Sequence, residues 1–476
     1  MDLHKKLLIL IIVFTFLVRI LFVFYSPLRG WDETVYLNLG RQLSEQPLNY
    51  SLQNSGWNDF IPADDPVYAW PNIGFRAPLL PYTLSIFYFF NLDFLIPFLL
   101  PFFAALSAFL VYILGKELFN RRAGLYAAFL FSLLPVHIFA SGQIWTDTFV
   151  VFFLLLSFIS FWRGFERRDN KYKMLFGLFL ALALLARYTT LWLGPVFLFY
   201  LLLKEKSFKF LKDKYLWYGA GVFLLTLLPW LLYGFVYYDN PLGAFVHGFQ
   251  ASAYWGGVQP WTFFLQSAWL NFSVIASLFL LALFYVSFKK RWLRREIILL
   301  LAWVIFFFLV VSFMPHKENR FILPIVPAVC LLVGFLLSEL KRFGNLILGF
   351  VGAILLISVA GVAAIYENKA NDQATTCFWE ANKFLANQEH NSLILTNQSP
   401  ISYYYTRKEN KLYPDPWKFD SLREELDKNY IGREVYFLYS NYDMPQESKI
   451  QDDLDDNLTK AFKCTKDRGY AAVYHL

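Results

Sequence analysis

The sequence is poor in cysteine and in charged residues. It has three cysteines among 476 residues, Cys330, Cys377 and Cys464, and none of them form the CxxC spacing of a metal or redox site. A disulfide framework is therefore not expected, although a pairing of Cys377 with Cys464 stays open. We find no internal repeat and no low-complexity tract. The sequence indicates no cofactor; a divalent metal is possible but not indicated.

Hydrophobic residues make up 57% of the chain and charged residues only 17%. No water-soluble fold of this length needs so much apolar surface, so the composition indicates a multi-spanning membrane protein. The first apolar run, Leu7–Tyr25, is followed by many more, which indicates a retained anchor rather than a cleaved signal peptide. Segments of about 20 apolar residues predict eleven crossings, at 7–25, 93–115, 123–141, 145–162, 172–187, 188–203, 216–237, 265–288, 296–313, 321–340 and 343–365.

Lys and Arg residues concentrate in alternate loops between these segments. With eleven crossings, every basic loop falls on one side of the membrane, which the positive-inside rule makes cytoplasmic. The formal net charge of +7 therefore reports topology and is no evidence for a nucleic-acid partner. The residues concerned are Lys5, Lys6, Lys116, Arg121, Arg122, Arg163, Arg167, Arg168, Lys171, Lys173, Lys204, Lys206, Lys209, Lys212, Lys214, Lys289, Lys290, Arg291, Arg294, Arg295, Lys341 and Arg342.

Two parts of this predicted topology are ambiguous. Pro78–Asn91 is apolar but has only about 14 residues, and counting it as a crossing would invert every later loop. We predict that it lies along the outer surface as an amphipathic or re-entrant helix. The spans 172–187 and 188–203 are short, and without both of them the parity is unchanged. Arg187 would then move from the outer side to the cytoplasmic side.

The outer side carries a first loop, 26–92, a second loop rich in glycine and aromatics, 238–264, and the chain after Tyr366. We predict a transmembrane domain at 1–365, which includes the first outer loop with its surface helices. The remainder, 366–476, is predicted to be a soluble extracytoplasmic α/β domain, because short β-like runs replace the apolar spans there. Those runs are Ser392–Leu395, Glu434–Tyr439 and Ala471–His475, with helical spacing at Asp420–Lys428.

Polar residues of several outer segments are expected to converge at one membrane face. This mixture of carboxylates and cations suits transfer from a polyprenyl-phosphate donor, because Arg and Lys hold an anionic phosphate at the lipid–water boundary. A phosphate leaves readily once its charge is neutralised, so one carboxylate base is sufficient and a single in-line displacement inverts the anomeric carbon. The residues are Asp32, Glu33, Arg76, Asp147, Arg187, His316, Lys317, Glu318 and Arg320.

Several of these residues also have a structural interpretation. Asp32 and Asp147 could each be the N-cap of a helix. Arg76 and Arg187 could extend to lipid headgroups. The aromatic segment 254–261 is more typical of an interfacial belt than of a sugar-binding platform.

Three short motifs resemble the integral-membrane glycosyltransferases of the GT-C fold. Trp31-Asp32-Glu33 follows the first span, Arg76-Ala77-Pro78-Leu79 precedes a surface helix, and Thr146-Asp147 opens a later span. This order is similar to protein O-mannosyltransferase and aminoarabinose transferase relatives. The segment 316–321, followed by Leu323-Pro324 and Pro327, resembles the HKExRF signature of dolichyl-phosphate-mannose-dependent mannosyltransferases. The likeness covers about residues 1–365.

The resemblance implies roles for individual residues. Asp32 would be the catalytic base, Glu33 would hold acceptor or sugar beside it, and Asp147 would be a second active-site carboxylate. The relatives often have Lys-Pro in place of Arg76-Ala77-Pro78 and Lys in place of Arg187, so the phosphate geometry of the relatives is not carried over. The cations implied around the donor phosphate are Arg76, Arg187, His316, Lys317 and Arg320.

The sequence thus predicts an inverting glycosyltransferase in the membrane of a prokaryotic cell. It would move a sugar, a hexose such as mannose, from a polyprenyl- or dolichyl-phosphate donor to a hydroxyl of a protein, glycan or lipid at the outer face. Its partners would be the donor, the acceptor and the lipid bilayer, with no nucleic acid. Alternatives are a flippase or transporter of a lipid-linked sugar, which would favour charges deep within spans, and a polysaccharide polymerase or ligase. Only Arg19 is deep in a span.

Overall fold

The computed structural model describes residues 3–24, 29–52, 76–254, 258–414, 417–442 and 448–476. The chain forms two compact units. The first, here called the membrane unit, comprises Met1–Val23, Gly74–Leu80 and Phe94–Ala363. The second, here called the α/β unit, comprises Phe24–Ile73, Pro81–Asp93 and Ala364–Leu476, and therefore groups part of the first outer loop with the C-terminal segment. The central part of that loop, 53–75, lies outside the described residues.

Helices make up most of the described chain. Their bounds are α1 (Leu3–Val23), α2 (Trp31–Glu45), α3 (Leu79–Phe89), α4 (Ile96–Leu118), α5 (Arg121–Leu133), α6 (Pro135–Ser141), α7 (Thr146–Phe161), α8 (Asn170–Ala186), α9 (Gly194–Glu205), α10 (Lys214–Tyr238), α11 (Gly243–Tyr254), α12 (Phe263–Gln266), α13 (Ala268–Phe272), α14 (Val274–Phe288), α15 (Arg295–Phe313), α16 (Val326–Glu339), α17 (Arg342–Ala370), α18 (Gln373–Ala386), α19 (Ser399–Thr406), α20 (Phe419–Asn429) and α21 (Ser448–Asn457). Short 3₁₀ segments occur at Asp93–Leu95, Tyr188–Leu193, Phe208–Lys212, Arg291–Leu293 and Asn319–Ile325, and a π-turn at Trp162–Glu166 extends α7.

Seven helical segments of the described chain are long and apolar enough to cross a membrane. An eighth is the pair α5 and α6, which meet at an angle of 60°. The break falls at Pro135, which lacks an N–H and restricts Leu134 before it to an extended backbone, φ −68° and ψ 123°. The predicted span 123–141 thus falls on a bent helix pair, which makes an eighth span if its two helices belong to one crossing.

Three predicted spans fall on shorter helices, α8 with 17 residues, α9 with 12 and α14 with 15. The contacts at the two ends of α7 show how α8 and α9 run. Asp147 at one end pairs with Arg187 after α8, and Glu166 at the other end pairs with Lys204 in the last turn of α9, with Nζ and Oε1 3.0 Å apart. Both short helices therefore run alongside α7 from end to end. The count of eleven crossings stays a prediction.

Ion pairs join the basic loops at one end of the membrane unit. Glu166 contacts Arg295 as well as Lys204, at 3.0 Å in each case. Because Glu166 and Asp147 lie at opposite ends of α7, Arg187 lies at the end away from the basic loops. This is the arrangement that the charge pattern predicts for a membrane with all basic loops on one side. Further pairs at the basic end are Glu117 with Arg163, Lys173 with Asp213, and Arg291 with Glu339.

Small residues bring the helices of the membrane unit close together. A Cβ atom added at Gly177 on α8 would lie 2.0 Å from the carbonyl oxygen of Gly219 on α10. Any side chain there would force the two backbones apart, which is why small residues mark such contacts in membrane helices. Large rings fill the rest of the interior; Phe158 and Trp303 stack with ring centroids 3.6 Å apart.

The predicted surface helix is present as α3. Its 11 residues extend about 17 Å, roughly half the thickness of a bilayer's hydrocarbon core. Leu84 is fully buried, whereas Ile86 and Phe89 are 57% and 66% exposed. The helix is therefore short for a crossing and has one buried and one exposed apolar side. Its position along the outer surface stays a prediction.

The C-terminal segment contains a five-stranded mixed sheet with the order β2-β1-β3-β5-β4. β1 is parallel to β2 and β3, with Leu393 opposite Glu409 and Val435, and β5 is antiparallel to β3 and β4, with Val473 opposite Leu438 and Phe462. The α/β character is therefore confirmed, while the sequence missed two strands, β2 and β4. The bounds are β1 (Leu393–Thr396), β2 (Glu409–Lys411), β3 (Val435–Ser440), β4 (Thr459–Lys466) and β5 (Gly469–His475).

Helices cover both faces of this sheet. Leu393, Phe437 and Tyr474 are buried with Leu422 and Leu426 of α20, and a second buried cluster joins the opposite face to α18. Cys377 of α18 and Cys464 of β4 form a disulfide, so the pairing that the sequence left open is present. It links two elements 87 residues apart in the chain.

Candidate functional site

A buried ion pair marks the end of the membrane unit that lies away from the basic loops. Asp147 stands in the first turn of α7, and its Oδ1 atom accepts a hydrogen bond from Nη1 of Arg187. The Asp147 side chain is 2% exposed and that of Arg187 is 15% exposed. The N-cap of α7 is Trp145, so the interpretation of Asp147 as an N-cap is wrong. Arg187 pairs with a carboxylate instead of extending to headgroups.

Arg320 is the second cation at this position. Its Nε lies 3.9 Å from Oδ2 of Asp147 and 2.8 Å from Oε2 of Glu318. The guanidinium also stacks over Trp145, with its central carbon 4.0 Å from the ring centroid. Arg187 stacks in a similar way over Phe321, at 4.6 Å. Aromatic faces therefore fix the orientation of both guanidiniums, and cation–π contacts of this kind strengthen where water is excluded.

His316 and Lys317, in the same short loop, have different surroundings. The Nε2 atom of His316 lies 3.1 Å from Oε1 of Glu318, which puts the ring beside Arg320. The ammonium of Lys317 donates to the carbonyl oxygens of Gln259, at 2.8 Å, and Met314, at 2.5 Å. Lys317 is 3% exposed, and its burial lowers the pKa of the ammonium. Through these contacts, Lys317 joins its own loop to the second outer loop.

Arg76 reaches the same end of the membrane unit through its main chain. The hydroxyl of Tyr188 donates to the carbonyl oxygen of Arg76, at 3.4 Å, and accepts from the indole N–H of Trp230, at 2.8 Å. Because Tyr188 directly follows Arg187, the segment before α3 lies next to the ion pair. The structure thus brings together Asp147, Arg187, Arg320 and His316, with the main chain of Arg76 beside them.

Asp32 and Glu33 belong to the α/β unit, where they open α2. Gly30 is the N-cap, in an extended conformation, and the Oε2 atom of Glu33 accepts from its backbone N–H at 3.0 Å. The other carboxylate oxygen of Glu33 accepts from Nη1 of Arg29, at 3.2 Å. Glu33 is buried, whereas Asp32 is half-buried. The side chain that caps the start of α2 is therefore that of Glu33, bound to the backbone N–H of Gly30. The interpretation of Asp32 as an N-cap is wrong.

The position of Asp32 favours a carboxylate. It lies in the first turn of α2, where backbone N–H groups point outward and the helix dipole stabilises negative charge. The helix itself is anchored closely: a Cβ at Gly40 would lie 2.7 Å from Cβ of Leu84 on α3. A rigid helix with an acidic first turn can present a base to a hydroxyl group.

Several contacts of these residues could not be predicted from the sequence. Trp145 directly precedes the Thr146-Asp147 motif and Glu318 stands within the segment 316–321, but nothing in a single sequence indicates that both contact Arg320. Gln259 comes from the second outer loop, and its side chain also accepts from the backbone N–H of Lys317. Of the aromatic residues of that loop, Trp255 lies outside the described residues, whereas Trp261 is described and exposed.

The model of the Alg9-like mannosyltransferase family matches residues 76–392. Sequence relatives include an uncharacterized protein of Aquifex aeolicus, 29% identical over 55% of this chain and 52% of its own length. Human alpha-1,2-mannosyltransferase ALG9 is 35% identical over 18% of this chain and 15% of its length. An undecaprenyl phosphate-alpha-4-amino-4-deoxy-L-arabinose arabinosyl transferase of Wigglesworthia glossinidia brevipalpis is 30% identical over 36% of this chain and 28% of its length. The chain thus matches about half the length of these relatives or less.

Two solved structures share the fold over most of this chain. ArnT from Cupriavidus metallidurans, bound to undecaprenyl phosphate, superposes with a TM-score of 0.76 at 14% identity and covers 98% of this chain and 97% of its own. The Archaeoglobus fulgidus oligosaccharyltransferase, tethered to an acceptor peptide, gives 0.64 at 14% identity, with 92% and 69% covered. The helical membrane fold with its C-terminal mixed sheet is therefore that of ArnT. With a family match over more than half of its residues, the chain belongs to the Alg9-like mannosyltransferase family.

Proposed function

We propose that the protein is an inverting glycosyltransferase that takes a sugar from a polyprenyl-phosphate donor. The observation that carries this is the convergence of Arg187 and Arg320 on Asp147. A guanidinium has five N–H donors, and a carboxylate occupies at most two of them in a bidentate contact. This capacity for several contacts suits the oxygens of a phosphate, and stacking on Phe321 and Trp145 holds the two guanidiniums in place.

The mechanism assigns the base to Asp32. Its carboxylate takes the proton of the acceptor hydroxyl as that oxygen attacks the anomeric carbon, and the bond to the donor phosphate breaks on the opposite side. The lipid phosphate leaves with the bonding electrons, and Arg187 and Arg320 stabilise its charge. His316 and Arg76 are proposed to complete the phosphate site. Lys317, whose ammonium holds Gln259 and Met314, supports the loop that carries Arg320.

The relatives support the proposed donor and sugar. ArnT is solved with undecaprenyl phosphate, and the Wigglesworthia relative is named for an undecaprenyl-phosphate-linked sugar. Membership of a mannosyltransferase family favours a hexose such as mannose. The acceptor is proposed to be a hydroxyl of a protein, glycan or lipid.

The catalytic face is proposed to be extracytoplasmic. The basic loops gather at the opposite end of the membrane unit, which the positive-inside rule places in the cytoplasm. The disulfide of the α/β unit supports the same orientation, because disulfides persist outside the reducing cytosol. Cysteine labelling tests this: in a Cys330→Ala background, the exposed Arg122→Cys should react only from the cytoplasmic side and Asp427→Cys only from outside. Labelling of either residue from the other side would overturn the orientation.

The flippase alternative has less support. Its strongest feature is Arg19, but this side chain is fully buried and closed in by protein atoms. Nη1 donates to the carbonyl oxygens of Thr15, at 3.1 Å, and Ser132, at 3.0 Å, and Nη2 lies 2.7 Å from Nδ1 of His137. Ser132 stands at the end of α5, where helix carbonyls lack partners, so Arg19 acts as a C-terminal cap of a broken helix.

The decisive experiment is a transfer assay with purified protein. A radiolabelled polyprenyl-phosphate sugar, supplied with and without acceptor glycan or peptide, should release polyprenyl phosphate and label the acceptor. Vesicles loaded with the same donor test transport in parallel. Movement of donor across the bilayer without label transfer would reject the glycosyltransferase in favour of the flippase.

A further inference from the structure

The sheet of the α/β unit has a topological switch point. With the order β2-β1-β3, the chain leaves β1 toward β2 on one side, while β3 continues toward β5 on the other. In open α/β sheets, the crevice beyond the carboxyl ends of such strands is the usual ligand site. Here that position is the junction of β1 with α19, at Gln398 and Pro400.

This position contacts α2 of the same unit. The side-chain amide of Asn38 donates to the carbonyl oxygen of Pro400, at 2.9 Å, and Asn38 is 2% exposed. Trp31 packs on the buried cluster that includes Ile401 of α19 and the disulfide cysteines. The sheet therefore receives an element of its own chain where related sheets bind ligands.

A second contact reaches the start of α2. The hydroxyl of Tyr405 on α19 accepts from the backbone N–H of Arg29, at 2.7 Å. Arg29 in turn donates to Glu33, which closes the helix start through Gly30. Trp379 of α18 packs edge-on against the Tyr405 ring, with centroids 4.8 Å apart. The hydrogen bond from Arg29 thus ties the turn before Asp32 to Tyr405 of α19. The ring of Tyr405 is itself held in place by Trp379 of α18.

We propose that the C-terminal sheet, with its helices α18 and α19, is a positioning element of the active site. It acts through Tyr405 of α19, and Asn38 of α2 is the positioning residue that receives the second contact. The inference rests on the proposed function, because it takes Asp32 as the base. A helix of this length needs tertiary contacts to stay formed. The two contacts hold α2 just before its first residue, at Arg29, and near its middle, at Asn38. They therefore set the direction in which the Asp32 carboxylate faces the acceptor.

Tyr405→Phe tests this directly, because it removes one hydroxyl and keeps the ring against Trp379. We expect kcat to fall about 3- to 10-fold, the range for one lost hydrogen bond, with the donor KM unchanged. Hydrogen exchange at the backbone of 29–34 should become faster. Tyr413→Phe is the matched control, since it removes a hydroxyl from the buried cluster on the opposite face of the sheet and should change neither quantity. Asn38→Leu should lower kcat in the same way.

The outcomes separate the two proposals. If exchange at 29–34 quickens while kcat of Tyr405→Phe and Asn38→Leu stays at the wild-type value, the contacts are structural only and the positioning proposal is wrong. It is equally wrong if exchange does not change. Asp32→Asn in the same assay tests the base assignment on which the positioning proposal rests: full activity in that variant would reject Asp32 as the base, whatever the exchange of Tyr405→Phe shows. Absence of sugar transfer in the wild-type protein would reject the proposed function itself.

Discussion

The two acidic centres of this protein neutralise charge in different ways. In the membrane unit, Asp147 is buried and contacts the guanidiniums of Arg187 and Arg320. In the α/β unit, Glu33 is buried and occupied by the helix start and Arg29, whereas Asp32 beside it is half-buried. A carboxylate that contacts two guanidiniums fixes their positions. A carboxylate in the first turn of a helix lies among backbone N–H groups that point outward.

This difference gives the two carboxylates separate roles in the proposed mechanism. Asp147 is suited to hold two cations at a fixed separation, so that a phosphate meets a preformed site instead of ordering it. Asp32 is suited to proton transfer, because it lies in the first turn of α2, where backbone N–H groups and the helix dipole favour a carboxylate. Exchanging the two roles would require Asp147 to abandon both arginines during each turnover.

The sharpest way to break this comparison is Asp32→Asn. The amide keeps the shape of the side chain but cannot take a proton, and loss of a general base costs about 10²- to 10⁴-fold in rate. Sugar transfer is measured per molecule of folded protein, with Glu33→Gln alongside. Near-normal transfer by Asp32→Asn, together with loss in Glu33→Gln, would move the base to Glu33.

Asp147→Ala should act mainly on stability. Removing one partner of a buried ion pair leaves the other charge uncompensated and costs about 3–5 kcal/mol. Thermal unfolding in detergent should therefore show a large drop in Tm, and the double variant Asp147→Asn with Arg187→Gln should recover part of it, because both charges are then gone. A stable but inactive Asp147→Ala protein would instead point to a direct chemical role.

The sequence predicted the fold well where hydrophobicity dominates the environment. Each predicted span has a helix, and β1, β3 and β5 are buried apolar runs that stand out in the sequence. The strand β4 was missed because it is mostly exposed and reads Thr-Lys-Ala-Phe-Lys-Cys-Thr-Lys, the polar composition of a protected edge. The strand β2 has three residues, too few for a periodic signal.

The site could be predicted only as a set of residues. The motifs identified Asp147, Arg187 and Arg320, but not that the first pairs with the other two, because contacts across 40 residues and more leave no trace in one sequence. Tyr405 and Arg29 illustrate the same limit, because they are 376 positions apart in the chain. Which charge is available for chemistry depends on such contacts, and they are set by packing.

The disulfide provides a test confined to the α/β unit. Replacing Cys377 and Cys464 by serine should lower the stability of that unit by about 2–5 kcal/mol, while the membrane unit keeps its resistance to proteolysis. Limited proteolysis with and without reductant measures both at once. Cys330→Ser is the control, since this thiol is buried and unpaired in the membrane unit. Equal sensitivity of both units to reductant would contradict the division.

Arg320→Ala should weaken the donor site. Charge-assisted hydrogen bonds to phosphate contribute about 1.5–3 kcal/mol each, so the donor KM should rise about 10- to 100-fold with the acceptor KM unchanged. Arg320→Lys keeps the charge without the planar fork and should give an intermediate value. A change confined to the acceptor KM would show that the loop faces the other substrate and leave Arg187 and Arg76 to hold the phosphate.

The smallest effect is expected at Glu318, and its sign is the informative part. Glu318 contacts both His316 and Arg320: its Oε1 atom lies 3.1 Å from Nε2 of His316, and its Oε2 atom lies 2.8 Å from Nε of Arg320. It therefore competes with a donor phosphate for the same two side chains. Glu318→Gln keeps the hydrogen-bonding shape but removes the negative charge. Because Glu318 is 36% exposed, solvent screens the repulsion, and the donor KM should fall only about two- to five-fold. A rise in donor KM would mean that Glu318 orients Arg320 toward the phosphate, in which case the stacking on Trp145 alone does not hold the guanidinium in its binding position.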